Sequence, residues 1–234
     1  MAQWARTPLD VALAEEQEEA ASLLRSHNAL EGTQLNERVR KACRDAGNVV
    51  VLEHVGSGAL YEDYSMVFAD LNTFKADVKL AAGKFYYELH IKHIQGQAAY
   101  FGWATEDFGS STKRTPGAGQ FVGGNAFSWA IGFDQGKVVK CANNAEGSAF
   151  GVAWQGGDVL GLACDMVNKS VSFSVNGSFQ PPLGLAFQNI AADCIAPAFS
   201  AWSGCKVMAN FGQLPLKHAP PDETYVSVHA GALT

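Results

Sequence analysis

Catalysis and metal binding most often use cysteine, histidine and acidic side chains. In this sequence the spacing of these residues argues against a common catalytic or metal site. None of the five cysteines has a partner at the two-residue gap of a zinc knuckle. His90 and His93 lie three positions apart in an alternating segment, so they point to opposite faces and should not share a metal. Asp158 and Asp165, seven positions apart, face apart for the same reason. The sequence therefore predicts no metal and no cofactor.

Motifs for catalysis are also missing from the sequence. It contains no Gly-x-Ser-x-Gly elbow, and its glycine-rich segment lacks the Gly-x-Gly-x-x-Gly spacing of a nucleotide loop. A glycan hydrolase needs two carboxylates about 5–10 Å apart across the scissile bond. No compact acidic motif supplies them, and Glu88 is flanked by aromatic residues. We predict a protein that is not an enzyme; the alternative is a carbohydrate-binding or glycan-hydrolysing jelly roll.

The composition excludes further classes of function. The net charge is −6, and an acidic balance argues against a nucleic-acid groove, which needs clustered Lys and Arg. No apolar run reaches the roughly 18 residues of a membrane span, so we expect no membrane insertion. The N-terminus lacks a basic start followed by an apolar stretch, and the cysteine count is odd. Both features favour a reducing compartment, and we expect a cytoplasmic location.

The amino-acid composition changes at about residue 47 and divides the chain into two parts. Residues 1–46 hold 14 charged residues and one glycine, whereas residues 47–234 hold 26 charged residues and 23 glycines. The first part is therefore typical of helices and the second of strands and turns.

The first part resembles an ankyrin repeat over residues 4–29. Thr7-Pro8-Leu9-Asp10 stands where that family has its Thr-Pro-Leu-His start, and an N-cap followed by proline favours a helix. The alternative is an unrelated helical cap. We expect a partial ankyrin-like helical hairpin over 1–30 and a helical linker over 31–47.

The second part alternates apolar and polar residues in short segments separated by Gly, Asn or Asp, which predicts an antiparallel β-sandwich. No segment with helical periodicity intervenes. The predicted strands are 49–52, 84–94, 98–104, 127–133, 138–140, 158–166, 170–175, 195–200 and 206–211. The predicted core residues are Phe101, Trp103, Phe133, Leu160, Leu162, Phe173, Val175, Phe199 and Phe211.

Residues 48–214 resemble a SPRY domain, most closely the SPRY domains of ryanodine receptors and of Ran-binding or ankyrin-linked proteins. The matching motifs are GKFYYELHI (83–91), YFGWA (100–104), SWAIGFDQGKVVK (128–140), WQGGDVLGLACDMVNKSVSFSVNG (154–177), LGLAF (183–187), APAFS (196–200) and VMANFG (207–212). The signatures of the longer PRY-SPRY form of the TRIM ligases are not found. The resemblance implies a bent antiparallel sandwich similar to concanavalin A. It also implies a non-catalytic adaptor or scaffold that binds a short segment of a partner protein, within a larger multi-domain assembly where one exists. Residues 215–234 are expected to be a C-terminal tail.

Two loops form the predicted partner-binding rim. The loop 105–125 is long, polar and glycine-rich, and loops of that length are usually functional or disordered. The second loop contains Trp202, and tryptophan is enriched at binding hot spots. Both loops resemble loops that line the ligand site of peptide-binding SPRY proteins. Trp202 matches its counterpart position well, and residues 117–121 match theirs approximately. The alternatives are that Trp202 caps the sandwich edge and that Arg114 is a solvated surface residue. The candidate site residues are Trp202, Ala201, Ser203, Gly117, Ala118, Gly119, Gln120, Lys113, Arg114, Tyr61 and Tyr64.

Overall fold

The computed structural model describes residues 51–60, 63–94, 98–108, 121–134, 136–142 and 147–232. The predicted ankyrin-like hairpin (1–30) and helical linker (31–47) lie outside the described residues, so both stay predictions.

The described chain is almost entirely β-structure. Its elements, in chain order, are β1 (Val51–Leu60), β2 (Ser65–Ala76), β3 (Lys84–Ile94), β4 (Ala98–Ala104), β5 (Ser128–Asp134), β6 (Lys137–Ala142), β7 (Ser148–Ala149), β8 (Val159–Asp165), β9 (Ser170–Val175), β10 (Gly184–Phe187), β11 (Ala196–Ala201), β12 (Cys205–Asn210), β13 (Val226–Ser227) and the helical turn α1 (Val228–Gly231).

The strands form one continuous ladder that folds into two layers. Its order is β10-β9-β8-β3-β12-β2-β11-β4-β5-β6-β7, and β1 pairs with β2. The N-terminal end of β2 pairs with β12 and its C-terminal part with β11. We call β10-β9-β8-β3-β12 the β3 layer and β11-β4-β5-β6-β7 the β4 layer. Described pairings between named strands are antiparallel, except a two-residue parallel pairing of β13 with β3. The predicted antiparallel sandwich is confirmed.

The main core lies between the two layers, where alternation turns one face of every strand inward. Tyr87 of β3 is fully buried at its centre, with its ring 5.0 Å from Trp103, 5.8 Å from Phe199 and 5.7 Å from Phe211 between centroids. Its hydroxyl donates a 2.6 Å hydrogen bond to the Gly102 carbonyl oxygen in the opposite layer. Of the nine predicted core residues all are buried except Phe133, which is partly buried against the same cluster.

Side-chain hydrogen bonds organise the turns of the β3 layer. Asp158 accepts the backbone N–H of Gln155 at 2.8 Å. The Asn176 side chain donates to the other carboxylate oxygen of Asp158 at 2.8 Å and accepts from the Val159 N–H at 2.9 Å. Asn176 and Gly177 have φ values of 49° and 81°, the positive values that an Asn-Gly turn requires.

The predicted C-terminal tail packs on the sandwich. β13 adds to the edge of β3, and the side chain of Val228 is fully buried in the main core. Alternating patterns give little signal for such a segment because its regular elements are only two and four residues long. Residues 215–232 therefore belong to the body of the domain.

Candidate functional site

The face of the β4 layer that points away from the core carries a second apolar cluster. Small residues of β4, β5 and β11 form its floor, and residues from both ends of the loop 105–125 cover it. Its buried members are Ala98, Tyr100, Ala104, Phe108, Val122, Ala130, Val139, Cys141 and Ala198, with Phe121 and Trp202 partly buried against them.

Two buried serines fix the C-terminal end of this loop. The Val122 N–H donates to Ser200 Oγ at 2.9 Å, and Ser200 Oγ lies 2.6 Å from Thr73 Oγ1. The Gly123 N–H donates to Ser128 Oγ at 2.8 Å. Strands β2, β5 and β11 thereby hold the loop end through side chains rather than through ladder pairing.

The N-terminal end of the loop is held as well. The Thr105 N–H donates to the Phe127 carbonyl oxygen at 2.8 Å, which joins the two ends directly. Lys75 of β2 donates through Nζ to the Thr105 carbonyl oxygen at 3.2 Å. Phe108 then turns into the second apolar cluster, where its side chain is buried. Phe108 and Phe121, the described residues on either side of positions 109–120, therefore both contact the second apolar cluster.

Three aromatic rings meet beside this loop, and we call Tyr100, Phe121 and Trp202 the Trp202 cluster. Phe121 stacks on Tyr100 at 4.4 Å between centroids and 30° between planes. Trp202 stands 6.4 Å from Tyr100 and 6.5 Å from Phe121. Because a Cβ at Gly132 would lie 2.3 Å from Tyr100 Cδ1, glycine in β5 lets the Tyr100 ring lie close to the sheet. The cluster is thus an aromatic surface on a rigid base.

The structure separates the predicted site residues. Trp202 is partly exposed, with its backbone N–H bonded to the Ala98 carbonyl oxygen at 3.1 Å, and Ser203 next to it is exposed. Ala201 is buried in the main core and can only position its neighbour. Seven predicted residues lie outside the described residues: Tyr61, Lys113, Arg114, Gly117, Ala118, Gly119 and Gln120.

The candidate site residue Tyr64 is buried in the main core, so its prediction as a partner-binding residue is corrected. It precedes β2, is only 7% exposed, and meets Phe211 edge to face at 5.4 Å between centroids. Tyr64, Met66 and Phe68 alternate and all three are buried, so this period of two was the signal that could have placed it in the core.

Tyr100 is the site residue that sequence reasoning missed. Its neighbours Phe101 and Trp103 drew attention to the core face of β4, whereas Tyr100 points to the other face. The alternation of β4 together with Gly132 opposite Tyr100 in β5 is the available signal.

The cysteines of the described chain form no disulfide, and three of them are buried: Cys141, Cys164 and Cys205. Burial raises the pKa of Cys164 far above its ordinary value and raises that of Cys205 to about 12. These two thiols therefore stay protonated at neutral pH, the form that is a poor nucleophile and a poor metal ligand. Within the described residues no group of three or more His, Cys, Asp or Glu side chains could hold a metal ion. No helix there is long and apolar enough to cross a bilayer.

Comparison with known proteins agrees with this architecture. The chain is 33% identical over 104 residues to the ATP-dependent RNA helicase Ddx1 of Drosophila melanogaster, a match that covers 43% of this chain and 14% of the helicase. The SPRY domain of human HERC1 superposes with a TM-score of 0.50 at 15% identity, over 67% of this chain and 94% of that domain, and shares its fold. The SPRY family model matches residues 84–214, more than half of the sequence. This chain belongs to the SPRY domain family.

Proposed function

We propose that this chain binds a short segment of a partner protein through the Trp202 cluster and the adjoining loop 109–120. SPRY domains are a family of protein-interaction modules, so the class of function follows from the family. The proposal adds the surface and the form of the ligand. The observation that carries it is the partly exposed Trp202 ring, held against Tyr100 and Phe121.

Physical arguments support this surface. An interface gains most free energy from large aromatic side chains that are already ordered, because little side-chain entropy is lost on binding. The rings of the Trp202 cluster hold each other in place, and both ends of the neighbouring loop are hydrogen-bonded. Within the loop, Gly117, Ala118 and Gly119 would let a ligand backbone approach closely. Lys113 and Arg114 would add positive charge for an acidic group of the partner.

We further propose that the chain works as an adaptor or scaffold, without catalysis, in the cytoplasm. The cysteines of the described residues form no disulfide, which is consistent with a reducing compartment. An ankyrin-like segment at 1–30 would make the SPRY domain one binding part of a multi-domain assembly. We also propose that the domain belongs to the ryanodine-receptor or Ran-binding subtype of SPRY domains.

The test compares Trp202→Ala with Leu185→Ala. Leu185 is an exposed apolar residue at the far edge of the β3 layer, so it is a matched control for lost apolar surface. Peptides selected from a random phage-displayed library against the wild type serve as ligands. We expect Trp202→Ala to weaken peptide binding by about 30-fold, or about 2 kcal/mol, and Leu185→Ala to leave the dissociation constant unchanged.

Melting curves of the same variants separate binding from folding. We expect Trp202→Ala to change the melting temperature little, because its ring is only partly buried. Unchanged peptide affinity together with a large drop in melting temperature would make Trp202 a structural cap, and the binding surface would have to be sought elsewhere.

A further inference from the structure

The segment between β12 and β13 crosses the outer face of the β3 layer, the face that points away from the main core. We call residues 213–225 the C-terminal strap. Apart from its first two residues, the strap lies beyond the part of the chain that the family model matches. It contributes no strand of its own and is held almost entirely by side chains of the sheet beneath it.

Asn210, at the end of β12, holds the beginning of the strap. Its Oδ1 accepts the N–H groups of Gly212 at 3.0 Å and Leu214 at 3.3 Å, and its Nδ2 donates to the Pro215 carbonyl oxygen at 3.2 Å. Gln213 donates back to the Ala209 carbonyl oxygen at 2.9 Å. These groups are amides, so their hydrogen bonds do not depend on pH.

Glu88 holds the middle of the strap with a charge. This side chain of β3 lies opposite Asn210 in the ladder and is completely buried. Its Oε2 accepts the Lys217 N–H at 2.9 Å, and its Oε1 accepts the His218 N–H at 2.6 Å. A buried carboxylate is costly unless such donors satisfy it, and each bond to a charged acceptor is stronger than one to a neutral acceptor.

Tethers at the far end of the strap are independent of Glu88. Lys84 Nζ lies 3.4 Å from Asp222 Oδ2 and 5.3 Å from the centroid of the Tyr225 ring. The chain then enters the parallel pairing of β13 with β3 and buries Val228 in the main core. The strap therefore has fixed ends and a middle that rests on one carboxylate.

Among the residues of the strap itself, one side-chain nitrogen is buried and unsatisfied. His218 Nε2 is buried without a hydrogen-bond partner. Its Nδ1 lies 3.0 Å from the point that a Cβ of Gly177 would occupy, so the imidazole is packed against the turn after β9. A buried unpaired nitrogen costs free energy that opening of the strap recovers by hydration.

We propose that the C-terminal strap is a releasable cover of the β3 layer whose latch is the ionised Glu88 carboxylate. Protonation of Glu88 removes the negative charge from both hydrogen bonds and converts one of the two acceptor oxygens into a hydroxyl, so the carboxyl holds the two amides less strongly. The middle of the strap then leaves the sheet, while Asn210, β13 and Val228 hold its two ends. Release uncovers the outer face around Glu88 without opening the main core.

The groups around Glu88 fix the direction of this response. On β3, His90 Nε2 lies 3.3 Å from Glu88 Oε2, and the buried Tyr86 lies two positions before it. The strap brings Lys217 and His218, whereas β12 and β8 face Glu88 with the uncharged Asn210 and Gly161. Burial raises the pKa of Glu88, but the contact with His90 and the hydrogen bonds from the two strap amides outweigh it, so this pKa lies below the ordinary value of 4.5. The latch is consequently closed at neutral pH and opens only in acid.

The test follows the backbone amides of Lys217 and His218 by NMR on the full chain between pH 7 and pH 3. In the wild type we expect both resonances to move with one midpoint below pH 4.5, before any amide of β4 or β5 changes. In Glu88→Gln, the side-chain NH₂ faces a backbone N–H, and we expect the released resonance positions at pH 7. Hydrogen exchange at Lys217 and His218 should then be at least tenfold faster than in the wild type.

Two further variants keep the outcome decisive. Glu223→Gln removes an exposed carboxylate of the same strap and should behave as the wild type. Lys217→Pro removes one of the two backbone donors and leaves Glu88 intact, so it should also release the strap at pH 7. The proposal therefore remains testable even if Glu88→Gln fails to fold. The proposal is overturned if the two amides change only together with β4 and β5. It is also overturned if both amides of Glu88→Gln and the His218 amide of Lys217→Pro keep the closed resonance positions.

Discussion

Tyr87 joins the two layers of the sandwich through one side chain. Its ring lies among Trp103, Phe199 and Phe211, and its hydroxyl reaches the backbone of β4. Burial raises the pKa of Tyr87 well above its ordinary value, so the hydroxyl stays protonated and remains a donor at neutral pH. The Gly102 carbonyl oxygen has this hydrogen bond in the dry interior between the layers.

We expect Tyr87→Phe to lower the free energy of unfolding by about 0.5–1.5 kcal/mol, because it removes a buried hydrogen bond that connects the two layers. Urea denaturation measures the change. Tyr86→Phe is the control, since Tyr86 is equally buried but faces away from the main core, and its hydroxyl does not connect the layers. Equal losses in the two variants would contradict the special role of Tyr87.

At the scale of elements, β13 and α1 close one end of the core. Val226 and Val228 are a matched pair in this segment, because the first is 44% exposed and the second fully buried. We expect Val228→Ala to cost about 2 kcal/mol and Val226→Ala less than about 0.5 kcal/mol, measured by thermal or urea unfolding. If the two variants were equally stable, residues 226–231 would not be part of the cooperative unit.

Strands with a clear period of two could be predicted closely from the sequence. The bounds of β3, β4 and β9 agree with prediction, and those of β5, β6, β8, β11 and β12 differ by one or two residues. In contrast, β2 was not predicted. Polar residues interrupt its apolar alternation: Asn72 accepts the N–H of Thr73, Thr73 pairs with Ser200 of β11, and Lys75 donates to the Thr105 carbonyl oxygen.

The candidate site was predictable only in part. Trp202 stands out by its residue type in a short loop. The rings that it contacts, Tyr100 and Phe121, lie on β4 and at the end of the loop 105–125. No pattern in the sequence around Trp202 predicts these contacts. The position of the strap could not be predicted from the sequence for a similar reason. Glu88, which binds its backbone, lies in an apolar strand more than a hundred residues before Lys217 and His218.

For the whole molecule, buried carboxylates make stability depend on pH. Asp165 accepts hydrogen bonds from the N–H groups of Val167 and Asn168 and from the Asn168 side chain, and it lies 3.6 Å from Lys84 Nζ. Burial raises the pKa of Asp165, but these bonds outweigh burial and hold it below the ordinary 3.8. A carboxyl with a lowered folded-state pKa stabilises fully above its unfolded pKa and loses this effect as the pH falls through the folded value.

We therefore expect the free energy of unfolding to fall below about pH 4. Asp165→Asn should cost about 1–3 kcal/mol at pH 7 and less at pH 3, because below the ordinary pKa of 3.8 the unfolded carboxyl takes up a proton and the folded carboxylate loses its advantage. Urea denaturation at both pH values measures the two differences. A cost that is the same at pH 3 and pH 7 would show that the charge of Asp165 contributes nothing.

The ladder order has a consequence for synthesis of the chain. β3 lies between β8 and β12, and β2 pairs with β11 and β12, so early strands have late neighbours. A ribosome releases the chain from its N-terminus at roughly 5–20 residues per second. Many seconds then separate the emergence of β2 and β3 from that of β12. During this interval the apolar faces of the early strands have no partners, and nascent-chain chaperones would find their binding sites there.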